Sequence, residues 1–143
     1  MPIPLFNSIA SWILKKRIHQ IELFVRYPIE VQNELLHNLV KTAAQTEIGK
    51  KYEFETVKSY NVFKERVPVC TYESIESDIE RCRQGVQNIF WPSSIKWFAK
   101  SSGTTNAKSK FIPVRTEALE DCHYKAGKDM LSLYFNNNED SQL

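Results

Sequence analysis

Apolar positions in the first part of the chain recur every three or four residues, the spacing of one helical face. Ala10, Leu14, Ile18, Ile21 and Val25 form the first stripe, with Phe6, Ile9 and Ile13 beside them, and predict an amphipathic helix that ends before Pro28. Pro28 suits the first turn of a second helix whose stripe is Val31, Leu35, Leu39 and Ala43. Gly49 is placed to end that helix, and Glu30, Glu34, His37 and Lys41 form its wet face. Lys50 to Phe54, polar and aromatic in turn, reads as a loop. Ser59 caps a short helix containing Tyr60 and Phe63 that must stop before Pro68, after which Val67-Pro68-Val69 is extended. Thr71 is a cap for the next helix, along which Tyr72, Ile75, Ile79 and Cys82 make a buried stripe. Glu73 suits the positive end of its dipole, and Gly85 closes it.

Beyond Gly85 comes a connection containing Ile89, Phe90 and Trp91, with Pro92 and two serines turning the chain. The period then shortens to two: Ile95, Trp97 and Ala99 alternate with Lys96, Phe98 and Lys100, which predicts a strand with one face buried and the other only partly so. Phe111 to Val114 returns antiparallel to it. Thr116 caps a last helix with the stripe Leu119, Cys122, Ala126, Met130 and Leu133, and Glu117 and Glu120 sit at its start. The fold class is therefore α/β, mainly helical, with one strand–loop–strand hairpin. Residues 1–135 form the folded portion, and residues 136–143, Asn-rich and acidic, form a polar tail, a linker or a truncation point.

Composition changes this picture little. A chain of 143 residues with 42% hydrophobic and 25% charged residues can bury one core. A net charge of +2, spread along the chain, argues against a nucleic-acid partner. Cys70, Cys82 and Cys122 are odd in number, lack C-x-x-C spacing, and suit a reducing cytoplasm; Cys82 and Cys122 fall on apolar stripes as small core residues. His37 lies on a wet face, and His19 and His123 have no partner at triad or ligand spacing, so no metal site is expected. Ile9 to Leu14 is too short for a secretory signal, and no run approaches a membrane span, which places the protein in the cytoplasm. Lys15, Lys16 and Arg17 make the polar face of the first helix; with Trp12 they leave open a role on an anionic membrane surface.

The chemistry concentrates between the two strands. Ser101, Ser102, Thr104 and Thr105 offer four O–H donors around Gly103, which lets a ligand approach the backbone, and Lys108 and Lys110 add positive charge. Phosphoryl oxygens favour such short donors, small bulk and a nearby ammonium. The loop is not the G-x-x-x-x-G-K-[ST] pattern, since it has one glycine and no helix start behind it. The same residue types are the ordinary vocabulary of a connecting turn, so composition alone leaves both readings open.

Ser101-Ser102-Gly103-Thr104-Thr105 with Lys110-Phe111-Ile112-Pro113 resembles the phosphate-binding loop of the auxin-responsive-promoter family, plant-type acyl-acid amido synthetases of the adenylate-forming superfamily. Thr46-Glu47-Ile48-Gly49, Phe63-Lys64-Glu65-Arg66-Val67-Pro68-Val69, Thr71-Tyr72-Glu73, Ile79-Glu80-Arg81 and Gly85 are similar to that family's N-terminal region in the same order, from about Gln32 to Leu119. Asn106-Ala107 stands where the family usually has glycine soon after the Thr pair.

The resemblance implies an N-terminal fragment of an ATP-dependent enzyme that adenylates a carboxylic acid and joins it to an amine or amino acid. Ser101, Ser102, Gly103, Thr104, Thr105 and Lys110 would hold the ATP phosphates, and Asp121 and Tyr124 would line the substrate pocket. Magnesium would be held by ligands outside this chain, and the rest of the enzyme would follow in cis or as a second fragment. No bond-making residue is assigned, and the chain by itself would be inactive. A non-catalytic phosphate or nucleotide binder is the alternative, and a membrane-associated module built on the first helix is the third reading.

Overall fold

The computed structural model describes residues 4–102 and 109–138. In chain order these form α1 (Pro4–Arg26), α2 (Pro28–Ala43), α3 (Glu47–Lys51), a 3₁₀ turn (Phe54–Thr56), α4 (Tyr60–Arg66), α5 (Tyr72–Arg83), β1 (Trp97–Lys100), β2 (Phe111–Val114) and α6 (Thr116–Ala118). A π-wound turn (Leu119–Tyr124) and α7 (Lys125–Asn137) complete the order. The fold is mainly helical with a two-stranded antiparallel sheet, as the periodicities predict. Two compact units divide it, Gln32–Thr116 and Met1–Val31 with Glu117–Leu143.

In the first unit, Val40, Ala43, Ala44, Phe54 and Val57 form the core. The expected α2 stripe holds at the buried Ala43 and the partly covered Val31 and Leu39, but Leu35 is 56% exposed, and Leu36 packs on the core instead, four residues ahead of Val40. The packed face is thus turned toward Leu36 and Val40, while the expected wet face of Glu30, Glu34, His37 and Lys41 stays exposed. The expected end of α2 at Gly49 is also corrected. The helix stops at Ala43, and Thr46 begins a new one, so Lys50 and Lys51 are helical rather than loop, and Phe54 is buried in the 3₁₀ turn beyond them.

Thr46 is the reason for this break. Its fully buried hydroxyl donates to Ala43 O at 2.7 Å and accepts the Gly49 N–H at 2.9 Å, which caps α3. The two preceding N–H groups of the first turn, on Glu47 and Ile48, donate to Asn88 O at 2.9 Å and Ile89 O at 3.1 Å. All three early donors of α3 are thus satisfied inside the fold. Asn88 reaches its position with a left-handed φ of 61°, and its Nδ2 donates to Gln45 O at 3.1 Å. Gly49 must be glycine here because a Cβ would stand 2.0 Å from Ala43 O.

The remaining helix ends agree with the sequence more closely. Ser59 Oγ accepts the Val62 N–H at 3.4 Å, and α4 stops at Arg66, ahead of Pro68. Ile79 and Cys82 of α5 are buried, and Gly85 closes that helix with a φ of 95°. Thr71 stands at the start of α5 but makes no capping bond with its hydroxyl; its carbonyl instead accepts from the N–H and hydroxyl of Ser74. Arg81 holds Glu47 through two bonds of 2.8 and 2.9 Å, which ties α5 to α3.

β1 and β2 pair in the register Trp97↔Val114, Phe98↔Pro113, Ala99↔Ile112 and Lys100↔Phe111. The expected fully buried face is absent from β1, and its two faces differ: Trp97 is 63% exposed, and Ile112 beyond Ala99 on the same face is exposed too. The Phe98 and Phe111 face is the one packed, because β2 lies against α5 and Arg83 stacks on the Phe111 ring at 3.9 Å. A strand carrying aromatic residues on both faces does not announce which is inward.

In the second unit α1 packs along α7, burying Leu14, Ser132 and Phe135. The expected terminal stripe is corrected, since Cys122, Met130 and Leu133 are exposed. The π-wound turn between Leu119 and Tyr124 holds more residues per turn and rotates the helix beyond it, so α7 presents Asp129, Ser132 and Phe135 instead. Val25 of the α1 stripe is exposed as well. Arg17, expected on the solvated face with Lys15 and Lys16, is largely covered and grips Asp129 through Nε–Oδ1 at 2.5 Å and Nη2–Oδ2 at 2.9 Å. That bond holds the Asp129 carboxyl below its ordinary range, with the nearby charges of Arg17, Lys125 and Lys128 adding to it. α7 runs to Asn137, so two residues of the expected tail are helical.

The Thr46–Gly49 turn sets two expectations. Gly49→Ala forces a methyl into the Ala43 carbonyl and should destabilise the protein by about 3 kcal/mol, read from chemical denaturation. Thr46→Val, nearly isosteric, leaves a buried N–H without its acceptor and should cost about 1–3 kcal/mol in the same experiment. A midpoint unchanged in both variants would dismiss the turn as a stabilising element.

Candidate functional site

The hairpin end is built outward from β1 and β2. One rung past the strands, Ser101 N–H donates to Lys110 O at 2.9 Å, while Lys110 N–H donates to Ser101 Oγ at 3.0 Å. This hydroxyl acts as acceptor toward Lys110, a bond that does not use its own proton. Ser101 is half-buried and Ser102 is exposed. Gly103, Thr104, Thr105 and Lys108, which complete the expected anion-holding set, lie outside the described residues.

The first turn of α5 meets the C-terminal root of this loop. Tyr72 Oη accepts the Phe111 N–H at 3.0 Å, and Glu73 Oε1 accepts from Lys110 Nζ at 2.8 Å. The Lys110 ammonium also stands 4.9 Å from the centre of the Tyr72 ring. Lys110, expected to face phosphate, is thus engaged with a carboxylate, using one of its three N–H donors there. The Lys110 bond pulls the Glu73 carboxyl down to about 2, helped by its own backbone N–H and the Thr71 hydroxyl.

Tyr72 and Glu73 are visible in the sequence as a stripe residue, a helix-start acid and two members of the Thr71-Tyr72-Glu73 resemblance. Nothing in their local pattern signals a partner 37 or 39 residues away.

Asp121 and Tyr124 belong to the other unit. Both are exposed on the π-wound turn, around a shallow hollow bordered by Arg17, Gln20, Glu120, Lys125 and Lys128. His37 is on the surface of α2, as expected. Cys82 is buried, which pushes its thiol pKa up and keeps it protonated, with the negative charge of Asp78 acting in the same direction. Among the described residues no cluster of His, Cys, Asp and Glu is gathered for a metal ion, and no helix is long and apolar enough to cross a membrane.

The fold of this chain is similar to part of a solved acyl acid amido synthetase. The structure of AtGH3.15 in complex with 2,4-DB matches with a TM-score of 0.66 and 30% sequence identity, over 75% of this chain and 19% of that one. The GH3 family N-terminal domain matches residues 17–143, and the chain belongs to this family. The match includes the region from Gln32 to Leu119 singled out by its motifs and extends it in both directions.

Among the relatives, the indole-3-acetic acid-amido synthetase GH3.2 of Arabidopsis thaliana is 32% identical over 106 residues, covering 73% of this chain and 19% of its own length. The jasmonoyl--L-amino acid synthetase GH3.5 of Oryza sativa subsp. japonica is 28% identical over 107 residues, covering 74% and 18%. The chain spans about a fifth of the length of the curated relatives it matches.

The Glu73–Lys110 contact is directly measurable. A carboxylate with a depressed folded-state pKa contributes stability above its unfolded pKa and loses it as pH falls through the folded value. For Glu73 that window runs from the ordinary 4.5 down to about 2. Carbon-detected NMR titration should place the Glu73 midpoint near the lower end, and Lys110→Met should return it toward the upper. Because the pair is exposed, about 0.5 M salt should also raise the midpoint. An ordinary midpoint in the unmodified protein at low salt would remove the contact.

Proposed function

We propose that this chain is the N-terminal portion of an ATP-dependent acyl-acid amido synthetase and that it contributes the loop holding the ATP phosphates. The observation that carries this reading is the construction of the loop's two ends. In a chain of the GH3 family, Ser101 and Lys110 are locked to each other by two hydrogen bonds, so the hydroxyl-rich segment between them is presented from fixed roots. The rest of the enzyme would be joined in cis or supplied as a second fragment, in the cytoplasm.

The reaction proceeds in two balanced steps. A carboxylate oxygen bonds to the α-phosphorus of ATP while the bond from that phosphorus to the bridging oxygen breaks, its electron pair leaving on pyrophosphate. An amine nitrogen then bonds to the acyl carbon, the carbon–oxygen bond to AMP breaks, and the nitrogen gives up its proton to solvent or base. The first step brings an anion toward a polyanion, so donors fixed around the β- and γ-phosphates lower its barrier by preorganised electrostatics.

Ser101 and Ser102 supply hydroxyl donors, Thr104 and Thr105 supply two more, and Gly103 leaves room for phosphate against the backbone. Lys110 would add its two remaining N–H donors beside Glu73. Magnesium, held by ligands beyond this chain, would share the phosphate charge. Asp121 and Tyr124 are proposed as contacts to the acyl substrate. A carboxylic acid and an amine or amino acid are the proposed substrates, in keeping with the names of the relatives.

In the full-length protein, Gly103→Val should abolish pyrophosphate exchange driven by a carboxylic acid while holding the melting temperature within about 2 °C. Full exchange in that variant would discard the phosphate-loop assignment. Exchange absent from the unmodified protein with every acid of a carboxylate library would favour a phosphate or nucleotide binder without chemistry.

A further inference from the structure

We propose that Tyr72, Glu73 and Arg83 of α5 are positioning residues that set the phosphate-holding loop through its C-terminal root; this rests on the function proposed above. The three side chains converge on two consecutive residues. Glu73 holds the Lys110 ammonium at 2.8 Å, Tyr72 Oη takes the Phe111 N–H at 3.0 Å, and the Arg83 guanidinium lies 3.9 Å from the centre of the Phe111 ring. Lys110 in turn is bonded in both directions to Ser101, the other root of the loop. A displacement of Phe111 therefore moves both ends of the segment that bears the hydroxyls.

The platform behind these contacts is seated in the fold. Ile79 and Cys82 anchor α5 in the interior, and Arg81 fastens it to Glu47. A site held by elements of this kind keeps its donors in register more closely than one held by its own loop. The contacts themselves lie near solvent, with the Lys110 and Glu73 side chains 42% and 65% exposed. Exposed pairs of this kind add little to global stability. Their effect falls on the placement of Lys110 and Phe111, and through Lys110 on Ser101, the residues from which the proposed loop departs.

A competing role makes the opposite prediction. If Glu73 merely withheld the Lys110 ammonium from phosphate, removing the carboxylate charge would free a cation and tighten ATP binding. Positioning predicts weaker binding instead. Arg83 acts through ring stacking, so its loss should act in the same direction as loss of the Tyr72 hydroxyl.

The test is steady-state pyrophosphate exchange by the full-length protein, comparing the unmodified form with Glu73→Gln, Tyr72→Phe and Arg83→Met. Each variant is expected to raise the KM for ATP by about fivefold, leave the KM for the carboxylic acid within twofold, and melt within about 2 °C of the unmodified protein. Hydrogen exchange at the Ser101, Lys110 and Phe111 amides should quicken in the same variants, while amides of the buried half of α5 keep their protection. An unchanged or lowered KM for ATP in Glu73→Gln and Tyr72→Phe, or equal rises for ATP and acid, overturns the positioning role while leaving the synthetase reading intact. Loss of exchange in the unmodified protein overturns both.

Discussion

The start of α3 has three N–H groups that its own helix cannot satisfy, and the fold is arranged to receive them. Thr46 Oγ1 takes the one on Gly49, and the carbonyls of Asn88 and Ile89 take those on Glu47 and Ile48. A buried N–H left without an acceptor costs more than an ordinary hydrogen bond contributes, so the segment around Ile89 is held to residues 46–49 rather than merely packed near them. Gly49 permits the close backbone approach, and Asn88 accepts the left-handed geometry that aims two successive carbonyls at one helix end. The stretch 86–91 is irregular, yet it is pinned.

From that junction the order passes to the hairpin. Arg81 joins the same α3 turn to α5 through Glu47, and the buried Ile79 and Cys82 keep α5 seated. The N-terminal turn of α5 then meets Lys110 and Phe111. These ion pairs sit at different levels of exposure and do different work. Arg17–Asp129, largely covered in the other unit, has given up much of its hydration and needs its bidentate geometry. Arg81–Glu47 and Lys110–Glu73 remain near water, where charge attraction is screened and the main consequence is orientation.

Signals confined to a few neighbouring residues are legible in the sequence. Ser59 capping α4, the stop before Pro68, the left-handed Gly85 and the β1–β2 pairing all rest on local backbone chemistry. Faces are less legible. Leu35 and Leu36 are adjacent leucines, and only the packing of Leu36 on the core decides between them. Trp97 and Phe98 present the same ambiguity on a strand, resolved by the position of α5. On the last helix the pattern itself is sound as far as Leu119, but the π-wound turn shifts the phase, and no residue there announces it. Gly49 reads as a helix stop because that is the commonest use of such a glycine. Its real constraint is the Ala43 carbonyl beside it, a contact that periodicity does not carry.

The proposed site divides along the same line. Its donors are consecutive residues, so their chemistry can be read directly from Ser101 through Thr105. Its supports come from Tyr72 and Glu73, far back in the chain, and cannot. This division bears on how phosphate would be recognised. An ammonium already facing a carboxylate contributes little net field at a distance, because the two charges largely cancel beyond their own contact. In the proposed site Lys110, in its observed contact with Glu73, would act on the loop's geometry and offer its remaining N–H donors only at close range, while most of the attraction for a polyanion would fall to short dipoles: hydroxyls and backbone N–H groups. Dipoles act only at hydrogen-bonding range and weaken steeply with misalignment, so a site built on them depends on placement more than a site built on free charge. That dependence gives a reason for bracing the root of such a loop against a helix anchored in the core.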